Sequence, residues 1–389
     1  MLKDLLSPRY IIAGFVAILI GYTSSAAIVY QAAVAAGSSL DQVSSWMWAL
    51  GIGMGISTIG LSLYYRHPVL IAWSTPGAAL LATSLSGVDL PDAIGAFIFS
   101  SMLITLCGVT GWFNMIMKLV PQSLATAMLA GVLLRFSLAI FPAFNQEILL
   151  VGLMIVVYIL GKWLKSSYTI PMTFAAGIIV AFLQDKIQAL DAALTMTTPI
   201  LVIPSWDVPT LIGVGLPLFV VTMASQNVPG IAVLRAHNYQ TPASPLIGWS
   251  GLTGIILAPF GGFAFNMAAI TAALCMGDDV DKNPAKRYFA TLWTGVFYIL
   301  AGFFGAAVAS LFAAFPLQLV TAIAGLALLG TIANSLGAAL QHTEQREAAI
   351  ITFVITASDG SFLSIGTPFW GLVVGLMVYY LLGFREANL

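Results

Sequence analysis

The sequence predicts an all-α integral membrane protein of fourteen transmembrane spans, arranged as a seven-plus-seven inverted repeat. Three observations predict it. Only 7% of the 389 residues are charged and 60% are hydrophobic, whereas about a quarter of a soluble domain is charged; so little charge cannot cover a water-facing surface. Apolar runs of about 20 residues, enough for a helix to cross a hydrocarbon core of roughly 30 Å, recur between polar or proline-rich breaks. Threaded through those spans, the cations fall almost entirely on one side.

The opening "MLKDLLSPRYIIAGFVAILIGYTSSAAIVY" has a basic residue ahead of an apolar run. That run outlasts a signal h-region, so residues 10–36 read as a retained first span. The first half continues with 43–64, 68–86, 91–117, 122–141, 147–164 and 169–184. Residues 185–207, "DKIQALDAALTMTTPILVIPSWD", form the longest connection and divide the chain. The second half holds 208–233, 245–258, 260–276, 286–313, 316–338, 346–358 and 367–384, with 245–258 and 346–358 short for a span.

With the N-terminus cytoplasmic, every Lys and Arg except Arg135 and Lys186 lies on that side, the bias of the positive-inside rule. An odd number of spans per half inverts one half relative to the other. Inverted repeats are the usual architecture of secondary transporters, whose site lies near the midplane where the repeats meet. The net charge of -1 argues against a nucleic-acid partner, which needs clustered Lys and Arg. Cys107 and Cys275 sit in apolar runs and read as packed thiols. No Ser/His, His/His or Cys/His spacing within a span suggests an enzyme, and a channel would need polar rings along several spans. No metal or cofactor is expected.

Two spans break the helical pattern at matching positions. "HPVLIAWSTPGAALLATSLSG" (67–87) carries Pro76 and Gly77 mid-run, and "APFGGFAFNMAAITAALCMG" (258–277) opens on Pro259, Gly261 and Gly262. Proline removes a donor, clashes with the preceding turn and biases the residue before it toward extended backbone. Spans 3 and 10 therefore read as half extended and half helical, with about 9 helical residues after Gly77 and about 10 after Asn266, each covering roughly half the core. A proline kink explains one such span; the pair favours a site. Two helix N-termini facing each other there would favour an anion, with Gly77 and Gly262 letting backbone approach it.

The fourteen-span plan, "STPGAALL" in span 3, "SQNVPG" at 225–230 and "PFGGFAFNMAAITAAL" in span 10 resemble the bacterial benzoate transporter family, BenE, over essentially the whole chain. The resemblance implies benzoate:proton symport, and the fold shared with uracil and xanthine permeases and with bicarbonate and sulfate exchangers. It implies a core domain of residues 1–118 and 205–313, and a gate domain of 119–190 and 314–389. An elevator-type movement of core against gate and a homodimer in the bacterial inner membrane, with both termini cytoplasmic, also follow. Nucleobase or inorganic-anion transport is the alternative, yet where nucleobase permeases carry carboxylates on spans 8 and 10 this chain has Gln226, Asn227 and Asn266.

The expected substrate-binding residues are Ser24, Trp73, Ser74, Thr75, Gly77, Met223, Gln226, Asn227, Gly262, Phe263, Phe265, Asn266 and Met267. Trp73, Phe263, Phe265, Met223 and Met267 would supply a flat apolar slot. In an extended stretch Phe263 and Phe265 share one face and Ala264 and Asn266 the other, so only one pair can meet the ligand. Gln226 and Asn227 equally suit interhelical hydrogen bonding. With no acid at the midplane, benzoate is expected to be preferred to its neutral isostere benzamide. Coupling protons would travel on the substrate or through Glu347 or Asp359, and Arg135 reads as a pairing or snorkelling residue.

Overall fold

Capping and proline chemistry start many of the helices where the sequence places them. The computed structural model describes residues 5–111, 121–166, 168–188, 196–278, 280–358, 361–362 and 365–386. Helix α1 (Pro8–Ala35) starts on a proline, the residue best tolerated in a first turn. Helix α2 (Leu40–Tyr65) starts on a capping box in which Ser39 Oγ accepts from the Gln42 N–H and the Gln42 side chain accepts from the Ser39 N–H. A short strand, β1 (Ile71–Trp73), leads into α3 (Thr75–Ser84), and α4 (Leu90–Thr110) ends at Gly111 in the left-handed region. Helices α5 (Gln122–Leu138) and α6 (Ile140–Gln146) run on from one another, followed by α7 (Ile148–Trp163) and α8 (Thr169–Leu183).

The second half begins with α9 (Val208–Ala236), one long helix containing two wide turns with i→i+5 hydrogen bonding at Leu211–Gly215 and Met223–Asn227. It continues through α10 (Ala243–Leu257), β2 (Phe265–Met267), α11 (Ile270–Leu274), α12 (Tyr288–Phe303) and α13 (Gly305–Ala314). Helices α14 (Leu317–Ala339), α15 (Arg346–Ala357) and α16 (Thr367–Glu386) complete it. Six described helices are long and apolar enough to cross a membrane, and eight if each of the bent pairs Pro8–Thr23 with Ser25–Ala35 and Pro284–Phe303 with Gly305–Ala314 counts as one span. The segment 245–258, short in the sequence, is part of an 18-residue helical run, Ala243–Phe260.

Packing joins elements far apart in sequence. Helix α2 packs on α12 and α13, α4 on α10, and α1 on α3 and α12; separately, α5 packs on α14 and α15, α7 on α8, and α15 on α16. The two groups meet where α5 contacts α3 and the Met223–Asn227 turn, and where α1 contacts α8 and α14. Arg135 of α5 donates from Nη2 to the Thr356 carbonyl at 3.3 Å and to Thr367 Oγ1 at 3.0 Å, tying α5 to α15 and α16.

A polar clamp holds the start of α1 to the loop between α11 and α12. Asp281 accepts from Tyr10 Oη at 2.5 Å, pairs with Arg9 at 2.7 Å and accepts from the Asn283 N–H at 2.8 Å. Buried Arg287 donates to the carbonyls of Asp281 and Met276, both at 2.7 Å, and pairs with Asp278. Burial pushes the Asp281 carboxyl up, but the Tyr10 and Asn283 hydrogen bonds and the charges of Arg9 and Lys286 outweigh it and hold it below its ordinary value. A depressed folded-state value contributes stability that is present above the ordinary carboxylate range and lost as pH falls through the folded value. The melting temperature of the solubilised protein is therefore expected to drop on acidification below about pH 4. Asp281→Asn should flatten that part of the acid limb while lowering the melting temperature at neutral pH; an unchanged acid limb would count against the clamp.

Candidate substrate site

The two broken spans meet as a two-stranded ribbon. β1 pairs with β2 antiparallel in the register Ile71↔Met267, Ala72↔Asn266 and Trp73↔Phe265. Flanking bonds extend the ladder, Ser74 N–H to the Ala264 carbonyl at 3.1 Å and Ala268 N–H to the Leu70 carbonyl at 2.9 Å. Because the strands are antiparallel, α3 and α11 leave opposite ends of the ribbon with their N-termini against it. Each strand satisfies the other's backbone, the condition under which extended chain can exist inside a hydrocarbon core.

The sequence breaks have more specific causes than the residue types announced. Pro76 begins α3 within its first turn, and Ser74 caps it by accepting from the Gly77 N–H at 3.0 Å. Pro259 belongs to the tail of the preceding helix. Gly261, at φ 93°, sends its N–H to the Ala258 carbonyl, and Gly262 sends its own to the Leu257 carbonyl. This is the Schellman closure of a helix C-terminus. A Cβ at Gly262 would lie 2.9 Å from Leu257 Cβ, and one at Gly77 2.8 Å from Leu218 Cδ1; the crowding that demands glycine at both positions comes from the protein itself.

The expected pair of half-helix N-termini is corrected in two respects. α11 is five residues long, not about ten. In the first turn of α3, Ser74 Oγ takes the Gly77 N–H, the Ala78 N–H goes to the Ser74 carbonyl at 2.7 Å and Pro76 has none. Among the described residues, no partner is seen for the Thr75 N–H. The positive pole inferred from sequence at the start of α3 is thus mostly used up inside the fold.

Directly opposed residues of an antiparallel pair lie on the same face, which decides which side of the ribbon is open. Ile71, Trp73, Phe265 and Met267 share one face and are buried. Trp73 donates from Nε1 to Ser25 Oγ at 2.8 Å and its ring lies 4.8 Å from that of Tyr22. Phe265 fills the space beside Gly53 and Gly254, and Phe263 packs between Trp46 and Phe97 at 5.8 and 5.7 Å. These rings, expected as a ligand slot, are engaged in holding α1, α2, α4 and α10 together. Ala72 and Asn266 share the other face, and Ala72 is partly exposed.

Span 8 supplies the remaining expected residues through its second wide turn. Met223, Gln226 and Asn227 all fall in the Met223–Asn227 turn, and such insertions occur often at functional sites. Asn227 Oδ1 accepts from the Met267 N–H at 2.9 Å, and Asn227 Nδ2 points at Met223 Sδ at 3.2 Å. Asn227 and Met223 are thus scaffold for the ribbon, whereas Gln226 and Thr75 are partly exposed. The side chain of Ser24 lies outside the described residues, as does Asp359. Glu147 is paired with Lys186.

Three buried polar atoms, in β2, α9 and α1, have no partner among the described residues: Asn266 Oδ1, Thr222 Oγ1 and Tyr22 Oη. Thr222 and Tyr22 were not legible as site residues. Thr222 looks like any hydroxyl in an apolar helix, and Tyr22 is marked by its contact with Trp73, which sequence does not reveal. Ala264 has a left-handed backbone at φ 43°, unusual without glycine, and the Asn266 Nδ2 bond to its carbonyl at 2.9 Å supports it.

Comparison with known proteins matches this architecture to a group of transporters. The chain is 45% identical over 375 residues to the inner membrane protein YdcO of Escherichia coli K12, covering 96% of each chain. It is 37% identical over 371 residues to the benzoate membrane transport protein of Acinetobacter baylyi, covering 95% of this chain and 94% of that one. Among solved structures, the transmembrane domain of the cyanobacterial bicarbonate transporter BicA aligns with a TM-score of 0.60 at 11% identity, covering 95% of this chain and 96% of that one. SLC26A9 aligns at 0.55 and 13% identity, covering 94% of this chain and 66% of that one. These structural likenesses establish a shared membrane-transporter fold. With residues 4–381 matching the benzoate membrane transport protein family (BenE), the chain belongs to that family of membrane transporters, not to an enzyme family.

Proposed function

We propose that this protein imports an aromatic carboxylate, benzoate above all, across a bacterial inner membrane by proton symport. The observation that carries the reading is the ribbon face of Ala72 and Asn266, on which Ala72 is partly exposed: next to it lie Thr75 of α3 and Gln226 of the Met223–Asn227 turn, and both α3 and that turn pack against α5. A substrate held there is grasped by one packing group and covered by the other. This supports an elevator-type movement in which a core (1–118 and 205–313) slides against a gate (119–190 and 314–389). The cation distribution supports cytoplasmic termini, and the exposed apolar residues of α7, including Leu149, Val156 and Ile159, suit lipid or a second copy in a homodimer.

The test is a binding panel on purified protein. Benzoate is expected to bind and to drive saturable uptake into proteoliposomes, with sulfate, bicarbonate and uracil giving neither. Binding of sulfate or uracil without benzoate would overturn the substrate class, and conductance without saturation would replace the carrier by a channel.

A further inference from the structure

We propose that Asn266 reads a hydrogen-bond donor on the cargo, so that the species bound at the ribbon is the neutral aromatic carboxylic acid and not its anion. The proposal rests on the reading of the protein as an aromatic carboxylate carrier and concerns which form of that cargo the site accepts.

The orientation of the Asn266 amide is fixed by chemistry. Its Nδ2 lies 2.9 Å from the Ala264 carbonyl oxygen; flipping the amide would set two acceptors against each other, so the nitrogen points there and Oδ1 is the atom left over. Asn266 is fully buried and Oδ1 has no partner among the described residues. Buried acceptors are nearly always satisfied, and an orphan calls for an explanation. Its side chain leaves the ribbon on the face it shares with partly exposed Ala72, the opposite face being packed shut by Ile71, Trp73, Phe265 and Met267.

An acceptor of fixed direction asks for a donor. A carboxylate has only acceptor oxygens and would set negative charge against Oδ1, whereas a carboxylic acid offers one O–H donor and a carbonyl acceptor. The donor assigned to that carbonyl is the Thr222 hydroxyl. Thr222, fully buried with an unpartnered hydroxyl, lies one wide turn before Asn227, which holds Met267 beside Asn266. Thr75 adds a backbone N–H.

Among the described residues, no cationic side chain stands at the ribbon to keep the cargo ionised. The elements packed against the ribbon are α2, the second half of α9 and α10. Their titratable or charged side chains are Asp41, Tyr64 and Tyr65 at the ends of α2 and Arg235 in the last turn of α9. From α1 comes Tyr22, against Trp73. Cys275 follows α11, where it contacts Thr294, and Arg135 of α5 is engaged with α15 and α16. A neutral site binding a neutral acid takes one proton from the entry side with each cargo molecule and releases it on the other side when the acid ionises there.

The experiment is calorimetric titration of the wild-type protein with benzoate, in buffers of differing ionisation enthalpy, between about pH 6 and pH 8. Uptake of about one proton per benzoate is expected, with apparent affinity falling about tenfold per pH unit. Benzamide, which presents an N–H donor and a carbonyl in the same plane and does not titrate, is expected to bind with unchanged affinity across that range. Asn266→Leu, similar in volume and without hydrogen-bonding groups, should lose benzamide. Benzoate binding without proton uptake would overturn the proposal while leaving benzoate transport standing. Proton uptake with benzamide excluded would place the proton on the protein and overturn it too, as would an Asn266→Leu variant that binds both. Failure of every aromatic acid and amide to bind would remove the transport reading and this proposal together.

Discussion

Gly230→Leu is expected to cut uptake at least about tenfold in a protein that still inserts. A Cβ at Gly230 would lie 2.5 Å from Met267 Cβ, 2.7 Å from its carbonyl oxygen and 2.9 Å from its carbonyl carbon. Two of those three atoms are backbone, and that backbone is already held by the pairing with Ile71 and by Asn227. The larger side chain must therefore push α9 off the ribbon, which breaks the Asn227 bond to the Met267 N–H and leaves that buried donor without a partner. Overpacking costs about 1–3 kcal/mol and the orphaned donor about as much again. Together these predict at least a tenfold loss of benzoate uptake and a lower melting temperature. Gly60→Leu is the control: nothing lies within 4 Å of a Cβ there, so uptake should stay within about twofold of the parent, a surface change typically costing less than about 0.5 kcal/mol. Normal uptake by Gly230→Leu would mean that contact between α9 and the ribbon is dispensable.

The broken spans were legible because proline and glycine punctuate a helix by rules that do not depend on tertiary context. Pro76 and the Gly261–Gly262 pair marked the two places correctly, and "SQNVPG" pointed to the turn that carries Gln226 and Asn227. What each residue does there was not legible. Gly262 looked like room for a ligand and is instead the second residue of a helix closure, because a Schellman turn is recognised by its backbone bonds and not by composition. Phe263 and Phe265 appeared to share a face; the left-handed Ala264 between them sends one ring toward Trp46 and Phe97 and the other toward Gly53 and Gly254. No residue preference announces a left-handed alanine. The length of α11 was overestimated for a related reason: the apolar run continues to Met276, but the chain turns after Leu274 so that Arg287 can hold the Met276 carbonyl. The wide turn at Met223–Asn227 is likewise a local change in a hydrogen-bond ladder, invisible to hydropathy.

Asn266→Asp is expected to convert a carrier with a shallow pH dependence into one with a steep dependence. The asparagine donates to the Ala264 carbonyl through Nδ2 and keeps Oδ1 as an acceptor. A protonated aspartic acid can do both, its O–H replacing the amide donor and its other oxygen accepting. An aspartate cannot: one of its oxygens would face the Ala264 carbonyl oxygen at about the 2.9 Å now spanned by a hydrogen bond. Both residues are fully buried, so screening is weak and like partial charges repel strongly. The left-handed Ala264 would lose its support, and the Ser74 N–H that shares the Ala264 carbonyl would be disturbed with it. The variant must therefore bind a proton of its own before it can bind cargo. If the cargo also arrives protonated, apparent affinity should fall by up to about a hundredfold per pH unit, against about tenfold in the parent. Near pH 5 the two proteins should transport benzoate at similar rates, and near pH 8 the variant should be inactive while still folded. An Asn266→Asp protein that matches the parent at pH 8 would show that neither the donor to Ala264 nor the acceptor on the open face matters to the cargo, and the site would have to be sought away from the ribbon.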